Sequence, residues 1–123
     1  VRMIRAQEDV AVVETVDGVQ LQVRVNAQSV AAGASLTLGV RPEHMDVHTS
    51  LTSSQNAIAV SVMASEHLGD VTYLHLSAAG DVTAIARTDP ENTLVIGDRA
   101  VVYLSPHRLH LFDAHGCALP RTV

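Results

Sequence analysis

Seven consecutive residues, Val19-Gln20-Leu21-Gln22-Val23-Arg24-Val25, alternate apolar and polar side chains without a break. A period of two belongs to a β-strand, in which one face meets a core and the other meets water. Asp17-Gly18, just before this run, is a pair that tolerates positive φ, and the β-rich residues 10–15 precede it. The two segments are therefore expected to form a β-hairpin, with Val23 turned inward and Gln22 outward.

The same signals recur along the chain at residues 35–40, 57–66, 71–77, 82–87, 99–104 and 109–112. In the second of these, Ile58, Val60 and Val62 share one face. The runs are separated by Ala32-Gly33, Leu68-Gly69-Asp70, Ala79-Gly80-Asp81, Asp89-Pro90-Glu91-Asn92 and Ile96-Gly97-Asp98, which form turns through the φ freedom of glycine, the fixed φ of proline or Asx hydrogen bonds. About eight short strands punctuated in this way predict an all-β fold, a small barrel or sandwich of the oligonucleotide-binding (OB-like) kind. Residues 27–34 have room for one helical turn, and no long amphipathic helix is expected. Residues 48–56, rich in Ser and Thr, read as a polar loop. With 123 residues the chain closes one core, so residues 1–123 are expected to form a single domain, with 1–47 and 56–123 as interlocked subregions.

All eight basic side chains are arginine, and lysine is absent. A phosphate-cradling P-loop and a Schiff-base enzyme each need a lysine, so neither chemistry is expected from this chain. The net charge of −5, with arginines scattered from Arg2 to Arg121, argues against a nucleic-acid partner, which draws on clustered positive charge. The chain opens on Val1 with no secretory-signal pattern, and no apolar run reaches the roughly 18 residues of a membrane span, so a soluble chain is expected. A single cysteine, Cys117, offers neither an internal disulfide nor a multi-cysteine zinc site, which suits a reducing cytoplasm.

Seven histidines invite a metal hypothesis, but their spacings do not support one. His44 and His48 flank no helix, and His107 and His110 are three apart in a strand, hence on opposite faces. Cys117 lies near His115 without an orienting group or an oxyanion hole. Glu66, Asp70, Asp81 and Asp89 sit at strand ends and turns, where solvated acids are the rule. Tyr73, Tyr103 and Phe112 fall inside apolar strands and read as core rather than as a base-stacking platform. No catalytic, cofactor-binding or metal-binding residues are assigned.

Three stretches together carry a resemblance: Leu38-Gly39-Val40-Arg41-Pro42-Glu43-His44; then Glu66-His67-Leu68-Gly69-Asp70-Val71-Thr72-Tyr73-Leu74-His75-Leu76; and finally Gly97-Asp98 onward into His107-Arg108-Leu109-His110-Leu111-Phe112-Asp113 and His115-Gly116. In order and spacing they resemble the regulatory domain, often called TOBE, of carbohydrate-type ABC importer ATP-binding subunits, the group that serves maltose and glycerol-3-phosphate import. The resemblance implies an OB-like domain that follows the nucleotide-binding domain and pairs with the same domain of a second ATPase subunit as a homodimer. The parent protein would lie on the cytoplasmic face of the bacterial inner membrane with membrane permease subunits and import sugars, polyols or glycerol-3-phosphate. On the same basis Arg41, Pro42, Glu43, Glu66, Gly69, His110, Phe112 and Asp113 are candidate interface or structural residues. No Gly-rich phosphate loop, Leu-Ser-Gly-Gly-Gln signature or Walker B strand is present, so ATP and Mg belong to the domain that is missing from this chain.

Proline fixes its own φ and biases Arg41 toward extended backbone, so Arg41 and Glu43 leave the chain in defined directions. Such a pair can hold two subregions or two subunits together, or act as a surface ion pair worth at most about 1 kcal/mol. A stand-alone small-ligand or oxyanion-binding β-domain is the alternative from another class, although the Ser/Arg/Asn-rich motif of the molybdate-type domains is missing; a hydrolase ranks third.

Overall fold

The computed structural model describes residues 1–49 and 56–121, and most of the polar loop expected at 48–56 lies outside them. The described residues contain ten strands: β1 (Arg2–Ala6), β2 (Ala11–Glu14), β3 (Gln20–Val23), β4 (Thr37–Gly39), β5 (Met45–His48), β6 (Ala57–His67), β7 (Thr72–Ala78), β8 (Val82–Thr88), β9 (Arg99–Leu104) and β10 (His110–Phe112). The fold is all-β, as the alternating runs predict. Short 3-10 turns at Pro42–His44 and Pro106–Arg108 are the helical elements among the described residues. The helical turn expected within 27–34 is instead two separate hydrogen-bonded turns, Val30 N–H to Ala27 O (2.9 Å) and Ala34 N–H to Ala31 O (3.1 Å).

The chain divides into two compact units. Unit 1 comprises Val1–Val40 and Ser105–Val123, and unit 2 comprises Arg41–Leu104. These boundaries differ from the 1–47 and 56–123 division suggested by the polar loop.

In unit 1, β1, β2 and β3 form an antiparallel sheet in that order, and β4 pairs with β10. Leu21 and Val23 are buried while Gln20 and Gln22 are exposed, the expected register. The β2–β3 connection is a turn closed by Gly18 N–H to Thr15 O (3.0 Å), followed by Gly18 at φ +89° and a Thr15 N–H to Val19 O bond (2.8 Å). Only Gly18 takes positive φ there; Asp17 accepts the Thr15 hydroxyl at 2.5 Å. Residues 113–117 repeat the device, with Gly116 N–H to Asp113 O (3.0 Å), Gly116 at φ +80° and Asp113 N–H to Cys117 O (2.9 Å). β1 has no clean alternation because a bulge between Met3 and Arg5 shifts its register.

In unit 2 the five strands run β5-β9-β6-β7-β8, and the sheet curls until its two edge strands, β5 and β8, approach each other. The 11-residue β6 makes this possible. Its first half pairs with β9 and its second half with β7, with a bulge between Val62 and Ala64 where the strand bends. Val60, Val62, Leu74, Leu76, Val102 and Leu104 face inward and are buried. Asn56, held at φ 49°, closes the start of β6 onto the end of β9: its side-chain Nδ2–H donates to Leu104 O (2.9 Å) and its own carbonyl accepts Leu104 N–H (2.9 Å).

Tyr73, Tyr103 and Phe112 are half-buried rather than core. Tyr73 and Tyr103 sit on the outward parity of β7 and β9, where a strand's alternation, not its mean hydropathy, decides the face. The Tyr103 ring meets His48 edge-on, centroids 5.1 Å apart.

Candidate functional site

The Arg41-Pro42-Glu43 segment opens unit 2. Arg41 is extended (φ −77°, ψ 147°), as the following proline dictates, and Pro42 starts the 3-10 turn. Arg41, Pro42 and Glu43 are all exposed. The Glu43 carboxyl is held below the usual range, chiefly by a hydrogen bond from its own amide, with smaller contributions from the charges of His44, Arg41 and Arg87. Arg87 lies on β8, against which this turn packs. The turn and the β8 strand thus sit side by side within unit 2. Exposed Val82 and Ile85 on β8 add apolar surface to that edge.

Glu66 and Gly69 belong to the β6–β7 hairpin. Leu68 N–H bonds Val71 O at 3.0 Å, and Gly69 at φ +94° takes the first central position of the two-residue loop, where a side chain would be strained. Glu66 accepts from His75 Nε2 across the hairpin at 2.5 Å. Both side chains are substantially exposed, so the pair contributes at most about 1 kcal/mol.

His110, Phe112 and Asp113 lie in unit 1. His110 pairs with Gly39 and Phe112 with Thr37 in the β4–β10 ladder. The Phe112 ring covers Gly39 so closely that a Cβ built there would lie 2.8 Å from Phe112 Cε2. Asp113 is a loop organiser: its Oδ1 accepts the amides of His115 (2.9 Å) and Cys117 (3.0 Å). Those two bonds, Cys117's foremost, hold its carboxyl below the ordinary value. A depressed folded-state pKa stabilises above the unfolded value of about 3.9 and is lost as pH falls through the folded one. In Asp113→Asn the loss of thermal stability relative to the parent chain should therefore be present at pH 7 and shrink below about pH 4. A loss that stayed constant from pH 7 to pH 2 would remove the carboxylate charge from this account.

The other candidates separate. His107 lies in the second 3-10 turn and His110 in β10, so the expected placement of both in one strand is corrected. Cys117 is exposed. Among the described residues no three His, Cys, Asp or Glu side chains converge on a common point. No helix of the described residues is long and apolar enough to cross a membrane.

One group escaped sequence reasoning. On the outer face of the unit 2 sheet, Ser61 of β6 stands opposite Ser77 of β7 on one side and opposite Arg99 of β9 on the other. They line a groove of about 460 Å³ together with Thr49 and a floor rich in alanine. Ser77 is 16 positions from Ser61 and Arg99 is 38, and only the strand register makes them neighbours.

Residues 38–112 match the sequence family described as the TOBE domain. The maltose/maltodextrin import ATP-binding protein MalK of Vibrio vulnificus (strain YJ016) is 33% identical over 98% of this chain and 32% of its own length. The sn-glycerol-3-phosphate import ATP-binding protein UgpC of Yersinia pestis bv. Antiqua is 34% identical over 79% of this chain and 26% of its own. The chain thus spans less than a third of the length of these relatives. Among solved structures, the cytoplasmic molybdate-binding protein ModG has a similar fold, with a TM-score of 0.74 at 16% identity over 89% of this chain and 88% of that one.

Proposed function

Because the chain belongs to the TOBE domain family, we propose that it is the regulatory and dimerisation domain of the ATP-binding subunit of a bacterial ABC importer for sugars, polyols or glycerol-3-phosphate. The observation that carries the reading is the alignment of 98% of this chain with about a third of a maltose import ATP-binding protein. In this reading the catalytic domain, with its ATP and Mg, precedes this one in the parent protein. The parent is a peripheral ATPase on the cytoplasmic face of the inner membrane, coupled to permease subunits. This chain contributes the contact with its counterpart in a second ATPase subunit and has no catalytic role.

Identical chains most often pair about a two-fold axis. The β8 strand is the favoured contact because it ends the sheet order and exposes Val82 and Ile85, and the exposed Arg41-Pro42-Glu43 turn beside it sets register by charge. The expected result of sedimentation across a concentration series is a reversible dimer that weakens in Glu43→Arg. A strict monomer at high micromolar concentration rejects intrinsic dimerisation. An unchanged dimer in Glu43→Arg rejects only this surface.

A further inference from the structure

We infer that the groove lined by Ser61, Ser77 and Arg99 is a strand-addition site. It takes an extended segment of a partner protein, with an acidic side chain on the outer face of the sheet and apolar ones turned inward. The inference goes beyond the importer reading and does not depend on it.

The groove lies where β6 has lost a neighbour. Along its first half β6 pairs with β9, from Ala57↔Tyr103 to Ser61↔Arg99, whereas its pairing with β7 begins only at Ser61↔Ser77. Beyond Ser77, β7 stays with β8 through Ala78↔Val82, and the chain turns back at Ala79 and Gly80. Residues 57–60 therefore have a strand on one side and the groove on the other, with Ala59, Val60, Ala78 and Ala79 in its lining.

The backbone of β6 is directed into that gap. The Asn56 carbonyl accepts Leu104 N–H, and Val62 N–H donates to Asp98 O, both on the β9 side. In an antiparallel ladder successive residues turn their N–H and C=O groups to alternate sides. Ile58 and Val60 thus bond toward β9, and Ala57 and Ala59 face the groove, as Ser61 faces Ser77. Among the described residues no hydrogen bond meets the amide or carbonyl of Ala57 or Ala59 on that side. An extended backbone laid in the groove supplies each with a donor and an acceptor, the means by which a strand adds to a sheet.

Side chains select the occupant. Ile58 shares the inward parity of Val60 and Val62, yet it is only half-buried while those two are buried. An inward apolar side chain on the incoming strand completes its cover. On the outer face Ala59 is small and exposed and leaves room, and Arg99 stands two residues further along that face, opposite Ser61. Arg99 is exposed, and none of the ion pairs among the described residues involves it. The neighbouring Asp98 is turned instead to the Val95 amide, which its Oδ2 accepts at 3.0 Å. Arg99 is also the charged residue in the groove lining, so the local charge is opposite to the chain's net −5 and complements a carboxylate on the incoming strand. At a rise of about 3.4 Å per residue, three or four partner residues match the length of 57–60.

The test uses the 123-residue chain and a synthetic peptide of the required alternation, Ac-Thr-Val-Glu-Val-Thr-NH2, followed by amide NMR. In the chain alone the Ala57 and Ala59 amides should exchange rapidly with solvent while Ile58 and Val60 are protected. The peptide should protect the first two and cause saturable shifts at residues 57–61, 77–79 and 99. A peptide with lysine in place of its glutamate should bind about fivefold more weakly, and Arg99→Glu should invert that preference. Ala59→Pro removes only a groove-facing donor, so it should abolish binding of the peptide and leave the β9 pairing in place; should that variant not fold, the Arg99→Glu result decides. Protection of Ala57 and Ala59 without peptide overturns the assignment, and so does protection that grows with chain concentration, which would make a second copy the occupant. Shifts that do not saturate, or an unchanged peptide preference in Arg99→Glu, overturn it as well.

Discussion

Val23→Asp should abolish the folded state of unit 1, and Gln20→Asp, three positions earlier on the same strand, should leave it intact. Val23 is fully buried in β3 and stands opposite Ala11, itself fully buried in β2. A carboxylate at that position has no partner within the unit's apolar interior, and its desolvation costs roughly 4 kcal/mol or more. That is a large part of the roughly 5–15 kcal/mol that separates a typical folded domain from its unfolded chain. Gln20 points to solvent, so the same chemical change there meets water. Far-UV circular dichroism melts of the two variants decide the matter: equal midpoints would mean that β3 presents the opposite face to the core.

Gly39→Val should cost about 1–3 kcal/mol, although the backbone at Gly39 makes no demand for glycine through its φ. The constraint is the Phe112 ring. A Cβ at position 39 falls 2.8 Å from Cε2, closer than real side chains approach, and a valine adds two methyl groups in the same space. The ring sits on a paired strand residue, so it can yield only by leaving its rotamer or shifting β10. Phe112→Ala on its own should destabilise by loss of packing, but in the Gly39→Val background it should cost less, because it also relieves the clash. Denaturant melts of the four-variant cycle test this. Purely additive losses would show that the two residues do not press on each other.

Much of the architecture was legible because one physical signal dominates it. Where a strand has one wet and one dry face, as in β3, β7 and β9, alternation reports both its existence and its register. The signal failed where the face is not uniformly buried. β5 carries Asp46 and His48 on its exposed parity and only half-buried residues on the other, and its alternation runs for only the four residues Met45-Asp46-Val47-His48, too short a stretch beside Pro42 to stand out as a strand. The tyrosines depart from expectation for a related reason: an apolar neighbourhood in sequence does not set burial, and parity turns Tyr73 and Tyr103 outward.

For the candidate residues, local backbone chemistry was readable and tertiary meaning was not. The extended Arg41 follows from the proline after it, and the left-handed Gly69 from its two-residue hairpin loop. That the first and third recognisable stretches belong together because Gly39 lies under Phe112 could not be read, since the two positions are 73 apart in the chain. The Asp113 carboxylate is likewise an ordinary loop acid in sequence. It becomes an organiser only when the amides of His115 and Cys117 turn toward it.

Unit 1 is written at both ends of the chain, and this governs the order in which the molecule can assemble. Pairing β4 with β10 before anything else has formed means closing a loop of about 70 residues, an entropic barrier that no early contact offsets. Unit 2 is contiguous, and its β6–β7 and β7–β8 pairings are between sequence neighbours, so it can condense without waiting for either terminus. Once it has, Met45 lies opposite Leu104, which brings the two points where the chain enters and leaves unit 2 close together. The long closure then becomes a short one. During synthesis, β4 stays unpaired until residues 110–112 have emerged, so the folding nucleus of this chain is expected to lie in its middle, with the two ends joining last.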